Sequence, residues 1–160
     1  MKRKLENIRQ QVTKCTKCDL SETRNKSVPG KGNFKADVIF VGEAPGKNED
    51  VEGEPFIGIA GKKLSIALEN AGITRNEVYI TNIVKCRPPK NRVPTTTERN
   101  TCQNYLEKEI EIIKPKIICI LGNTAFNSLL DGKEITKFRG KIVRKNNQLY
   151  FLTIHPAATI

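Results

Sequence analysis

The sequence predicts a three-layer α/β/α fold built on a central four-stranded, mainly parallel sheet. Three observations predict it. Short apolar runs recur at residues 36–41, 78–82, 116–121 and 148–154, segments of helical spacing alternate with them, and most runs end at a glycine or a polar residue. Runs that are apolar throughout belong to strands covered on both faces, and alternating helices supply the cover. At 160 residues the chain is the size of one domain, and a single unit over 1–160 is expected.

The elements follow in order. LENIRQQV near the start has helical spacing and leads into a loop, Lys14 to Asn33, rich in cysteine, lysine and glycine. The first strand, Ala36 to Val41, ends at Gly42 and opens an acidic loop punctuated by glycine and proline. A helix is expected from Gly61 to Ala71. Val78 to Asn82 is the second strand, Lys85 to Pro94 a loop, and Thr95 to Ile113 a helix that Pro94, three threonines and Glu98 start and Pro115 closes. Lys116 to Leu121 is the third strand, with a helix from Asn123 to Leu130. A short strand at Lys141 to Val143 and a turn at Arg144 to Gln148 lead into the fourth strand. Ligands of such sheets bind beyond the carboxyl ends of the strands, here Gly42 to Gly46, Asn82, Gly122-Asn123 and His155-Pro156.

Charge is the next signal. There are 28 Lys and Arg against 17 Asp and Glu, a net +11. By segment the net is +7 over 1–35, −4 over 36–80, and +4 over both 81–116 and 117–160. A basic rim around one acidic stretch suits a protein that holds phosphates while keeping carboxylates at its centre, although a plain solvated basic surface has the same composition. No apolar run is long enough for a membrane span, and MKRKLENIRQQ has no apolar region of a signal peptide, so a cytoplasmic protein is expected. Five cysteines in a reducing compartment need a reading other than a disulfide framework.

Cys15-x-x-Cys18 sits in a loop, and Cys86 and Cys102 belong to the second strand-loop-helix unit, Cys86 at the start of its loop and Cys102 near the start of its helix. Four such thiols suit a metal site, with zinc and an iron-sulfur cluster both open, while Cys119 inside an apolar strand reads as a small buried hydrophobe. Glu43 follows a strand end within GEAPG, a turn that has neither GxGxxG nor GK[ST] spacing, which disfavours a nucleoside triphosphate. Glu49, Asp50 and Phe56 lie in the loop beyond it. His155 is the single histidine, at the end of the fourth strand, and Asn82 holds the matching place on the second, where its amide offers one donor and one acceptor.

Taken in order, GEAPG-x-x-E-D-x-x-G-x-P-F-x-G-x-A-G (Gly42 to Gly61), T-N-x-V-K-C-R-P-P-x-N-R-x-P (Thr81 to Pro94), Leu121-Gly122 and His155-Pro156 resemble the family 4 uracil-DNA glycosylases, from Cys15 to Pro156. The resemblance implies the uracil-DNA glycosylase fold, a 4Fe-4S cluster on Cys15, Cys18, Cys86 and Cys102 rather than zinc, and excision of uracil from single-stranded and duplex DNA. It implies that Phe56 stacks on a flipped base and that Asn82 reads its Watson-Crick edge. Gly42, Glu43 and Ala44 would line the base, His155 would donate to the uracil O2, and Glu43 would handle the attacking water. Ala44 stands where another family carries a water-activating aspartate, so that duty falls to Glu43; Asp50 is expected to support the site and Glu49 to be solvated. Lys85, Arg87, Lys90 and Arg92 are expected to meet phosphates. Uracil-containing DNA is the expected partner, a sliding clamp a further one, and a monomer the expected state. The resemblance also implies a wedge loop and a closing helix after His-Pro, so a domain truncated after that motif is expected, with a catalytically weak or inactive, metal-stapled nucleic-acid-binding module as the alternative function.

Overall fold

The computed structural model describes residues 1–159. In chain order the elements are α1 (Lys2–Thr13), α2 (Leu20–Thr23), β1 (Lys31–Gly32), β2 (Val38–Gly42), α3 (Lys47–Glu52), α4 (Ile59–Asn70), β3 (Tyr79–Asn82), α5 (Thr96–Ile113), β4 (Ile117–Leu121), α6 (Asn123–Leu130), β5 (Ile142–Lys145) and β6 (Gln148–Thr153). They form one six-stranded sheet in the order β1-β3-β2-β4-β6-β5. The four apolar runs are its parallel centre, β3-β2-β4-β6, and an antiparallel strand closes each edge.

The expected four-stranded sheet is therefore extended to six. β1 has two exposed residues and carries no apolar pattern, and β5 ends in the exposed Arg144 and Lys145, so neither edge has the signature of a covered strand. The hairpin turn narrows to Asn146-Asn147, both at positive φ, the two-residue geometry that matches strand twist. α3, expected as loop, has its N-cap at Gly46, with Glu49 reaching back to the Gly46 N–H.

Side chains alternate across the sheet. Ile39, Val41, Ile118, Ile120 and Leu152 pack with Leu106 and Ile113 of α5 and Ala125 and Phe126 of α6. Phe40, Ile80, Cys119 and Leu121 turn to the opposite face, against Leu64 and Leu68 of α4. Cys119 is buried there, and burial pushes its thiol up to about 12. α1 lies on α5 through Ile8, Val12 and Tyr105, which brings the cysteine loop beside the body of the domain.

Chain order dictates where a site can form. β2 has β3 on one side and β4 on the other, so the connections leaving β2 and β4 diverge and open a crevice at their carboxyl ends.

Candidate active site

A cavity of about 630 Å³ occupies that crevice, and Glu43, Ala44, Phe56, Asn82 and His155 all line it. Glu43 is the first residue after β2. Its carboxylate accepts a hydrogen bond of 2.5 Å from the hydroxyl of Thr124 in the first turn of α6, a setting that suits a negative charge. Sequence reasoning did not single out Thr124, because a threonine in a helix start has an ordinary capping use.

Phe56 is buried at positive φ, and its conformation is held from behind: Arg75 donates to the carbonyls of Phe56 at 2.6 Å and Pro55 at 2.9 Å. Two glycines make room for it. A Cβ on Gly61 would lie 1.9 Å from the Phe56 carbonyl oxygen, and one on Gly42 would lie 2.5 Å from the Phe56 ring and 2.6 Å from Asn82 Oδ1. Gly42 thus contributes space rather than a contact of its own.

Asn82 ends β3 and is 2% exposed, and its Oδ1 has no hydrogen-bond partner among the described residues. An orphan acceptor in a cavity wall costs about 1–3 kcal/mol unless a ligand or water meets it. His155 lies just beyond β6 and stacks on Phe56, with centroids 5.5 Å apart and 28° between planes. The Ala157 N–H donates to His155 Nδ1 at 3.0 Å, so the neutral ring carries its proton on Nε2. Burial lowers the His155 pKa from 6.5, against a weaker opposing pull from Glu49, which keeps the ring neutral at neutral pH.

Neither carboxylate of the α3 segment holds the place expected of it. Asp50 is 2% exposed and lies outside the cavity, accepting from the Asn25 N–H at 2.8 Å and the Asn25 amide at 2.7 Å; it ties the N-terminal loop to α3. Glu49 lines the cavity, and its carboxylate gathers the N–H groups of Gly46, Ile57 and Gly58. Helical periodicity decides this: neighbours on a helix face about 100° apart, so one points to the domain and the other to the loop. The capping-box spacing from Gly46 to Glu49 was the available sequence signal.

Of the four cations expected at phosphates, Lys85 is misplaced. It is 1% exposed and pairs with Glu109 inside the core, out of reach of any phosphate. Arg92 does line the cavity, held by two bonds to Glu98, whose pKa falls to about 2 chiefly through Arg92. Arg87 and Lys90 precede it on the same loop.

Cys15, Cys18, Cys86 and Cys102 line one narrow pocket, with Arg24 donating to Cys86 Sγ at 3.1 Å. No three His, Cys, Asp or Glu side chains stand at metal-ligating distance among the described residues. The donor chemistry is nonetheless that of a thiolate centre: four sulfurs, apolar walls and a guanidinium to offset negative charge.

Comparison with known proteins decides what family owns this site. The model of the Uracil DNA glycosylase superfamily matches residues 29–160. The type-4 uracil-DNA glycosylase of Archaeoglobus fulgidus is 44% identical over 165 residues, covering 98% of this chain and 83% of the relative. That of Saccharolobus solfataricus is 46% identical over 166 residues, covering 98% and 77%. That of Thermotoga maritima is 48% identical over 138 residues, covering 85% and 72%. The chain belongs to the type-4 uracil-DNA glycosylases. The segments GEAPG and TNIVKCRPP supply two residues of the cavity wall, Glu43 and Asn82, and the fold is that of the superfamily. No helix among the described residues is long and apolar enough to cross a membrane.

Proposed function

We propose that this chain is a DNA-repair glycosylase that hydrolyses the N-glycosidic bond of uracil in single-stranded or duplex DNA and leaves an abasic site. The observation that carries the assignment of roles is the orphan Oδ1 of Asn82 in the wall of a cavity that Phe56 and His155 also line. The glycosidic carbon is inaccessible in a stack, so the base must first leave the duplex. Phe56 then offers an aromatic face worth about 1–3 kcal/mol of stacking. Asn82 accepts from the uracil N3–H through Oδ1 and donates to O4 through its amide nitrogen. Cytosine presents an acceptor and a donor at those places, which would leave both Asn82 groups unpaired and is penalised steeply.

Cleavage of the C1′–N1 bond leaves the bonding pair on the uracil ring and positive character on the sugar. His155 Nε2–H donates to O2 as charge gathers there, as an oxyanion-hole donor does. Glu43, anchored through one oxygen by Thr124, offers the other to a water that adds to C1′; the proton lost by that water passes to the carboxylate, and the negative charge favours the cationic sugar. The uracil anion leaves and takes a proton from solvent while Glu43 returns its proton to solvent, so the enzyme turns over.

In this reading Cys15, Cys18, Cys86 and Cys102 hold a 4Fe-4S cluster. The cluster would supply a structural cross-link between the N-terminal loop and the loop that carries Arg87, Lys90 and Arg92, and those cations meet DNA phosphates. One domain over 1–160, a monomer in the cytoplasm, and recruitment by a sliding clamp complete the reading. A binding module without catalysis is disfavoured, since the relatives that match 98% of this chain at 44% and 46% identity are type-4 uracil-DNA glycosylases.

The test is release of uracil from single-stranded and G:U oligonucleotides by the parent, Asn82→Ala and His155→Ala proteins. Alkali-labile sites are expected with the parent, and losses of about 100-fold or more with each variant. Strands that survive alkali after treatment with parent protein overturn the proposal.

A further inference from the structure

A charged pair in the core has no part in the chemistry above. Lys85 and Glu109 are each 1% exposed and bond at 2.5 Å. Tyr79 donates to the same carboxylate at 2.5 Å, and Thr81 donates to it while receiving a bond from Lys85. Every polar group of the cluster is satisfied. A buried ion pair of this kind is no more stabilising than well-packed apolar side chains of the same volume, so stability alone does not account for it.

The remaining bond of Lys85 does: its ammonium donates to the backbone carbonyl of Asn82 at 2.8 Å. That carbonyl has no strand to meet. Along β3 alternate residues turn to opposite neighbours; Ile83 N–H bonds to Gly42 on the β2 side, while β1 stops at Tyr79 and Ile80 and leaves Asn82 beyond its end. Lys85 thus stands in for the missing strand at the residue whose side chain faces the cavity. Glu109, at the far end of α5, fixes the ammonium, and Tyr79 and Thr81 fix Glu109.

We infer that Lys85, held by Glu109, is a positioning residue that sets the Asn82 amide for reading the base. The inference rests on the glycosylase reading. With the pair removed, the end of β3 relaxes and the amide samples orientations that do not match uracil, which lowers the rate of the step that needs the base in register more than it lowers DNA affinity.

The test is the double replacement Lys85→Met/Glu109→Leu, which leaves no unpaired charge, made with Asn82 intact and with Asn82→Ala. Expected results are a melting temperature near the parent's, kcat on single-stranded uracil DNA down about tenfold with Asn82 present, and KM within about twofold. In the Asn82→Ala background the same replacement is expected to change kcat by less than about twofold, since positioning has nothing left to act on. Unchanged kcat, or an equal loss in both backgrounds, overturns the inference. Should the double variant not fold, Tyr79→Phe, which removes only the hydroxyl bracing Glu109, is read by the same criterion: a kcat loss only where Asn82 is present supports it, and no loss or an equal loss overturns it. A parent protein that releases no uracil refutes the glycosylase reading instead, so the two failures are distinct.

Discussion

The hydroxyl of Thr124 donates to the carboxylate of Glu43 at 2.5 Å, joining the segment after β2 to the first turn of α6 across the point where the sheet connections diverge. That single bond fixes one oxygen of Glu43, and the proposed mechanism uses the other to hold water. Thr124→Val keeps the side-chain shape and deletes the donor. Steady-state kinetics are expected to show kcat lowered about tenfold, roughly one hydrogen bond to a charged group, with KM little changed.

Gly42 tests the packing of the base site. Any side chain there meets the Phe56 ring and Asn82 Oδ1 at once. The backbone of Gly42 is not in the left-handed region, so Gly42→Ala is expected to fold and to bind DNA while kcat falls about 100-fold, because displacing a positioned group by about 1 Å costs that much. Circular dichroism and uracil release measured side by side check both halves.

The lowered pKa of His155 makes a claim about pH. Burial disfavours the imidazolium, so the folded protein binds fewer protons here than the unfolded chain does below about 6.5. Stability from this residue is full above 6.5 and is lost as pH falls through the folded pKa. Melting temperature measured from pH 7.5 to 5 is expected to fall less steeply in His155→Gln than in the parent.

Arg92 and Lys85 separate surface charge from buried charge. Arg92→Ala removes a cation at the cavity mouth and is expected to reduce the slope of log affinity against log salt by about 1 for any DNA sequence. Lys85→Met leaves that slope unchanged, because Lys85 is enclosed by Glu109, Thr81 and Asn82, but lowers the melting temperature by leaving Glu109 unpaired. Fluorescence anisotropy across a salt series and a thermal melt settle the pair.

The four cysteines lining one pocket are expected to carry iron and sulfide in the purified protein, and Cys18→Ser to lose most of both with a lower melting temperature. Elemental analysis returning zinc would overturn the iron-sulfur assignment while leaving the thiolate site in place.

Apolar runs and their punctuation were enough to read the parallel centre of the sheet and the three long helices, since a strand covered on both faces has no freedom to be polar. Helix α6 is observed at Asn123–Leu130 as expected, and α5 begins one residue later than expected, with Thr95 as its N-cap. Of the edge strands, β5 was anticipated in part by the short strand expected at Lys141 to Val143, whereas β1, two exposed residues with no apolar pattern, was not legible.

At the site, sequence motif and strand order brought Glu43, Phe56, Asn82 and His155 to one end of the sheet. What the chain alone could not decide is which way a side chain turns and what it meets. Asp50 and Glu49 are adjacent in sequence and part company because a helix rotates between them; Lys85 looked like a phosphate contact and is instead drawn inward by Glu109, 24 residues away. The tautomer of His155, the brace of Arg75 behind Phe56 and the anchoring of Glu43 by Thr124 likewise join residues distant in sequence or a backbone turn. Residue type and spacing fix what chemistry is on hand, whereas burial and the partners supplied by tertiary packing fix which charges face solvent, which are neutralised and which are left for the substrate.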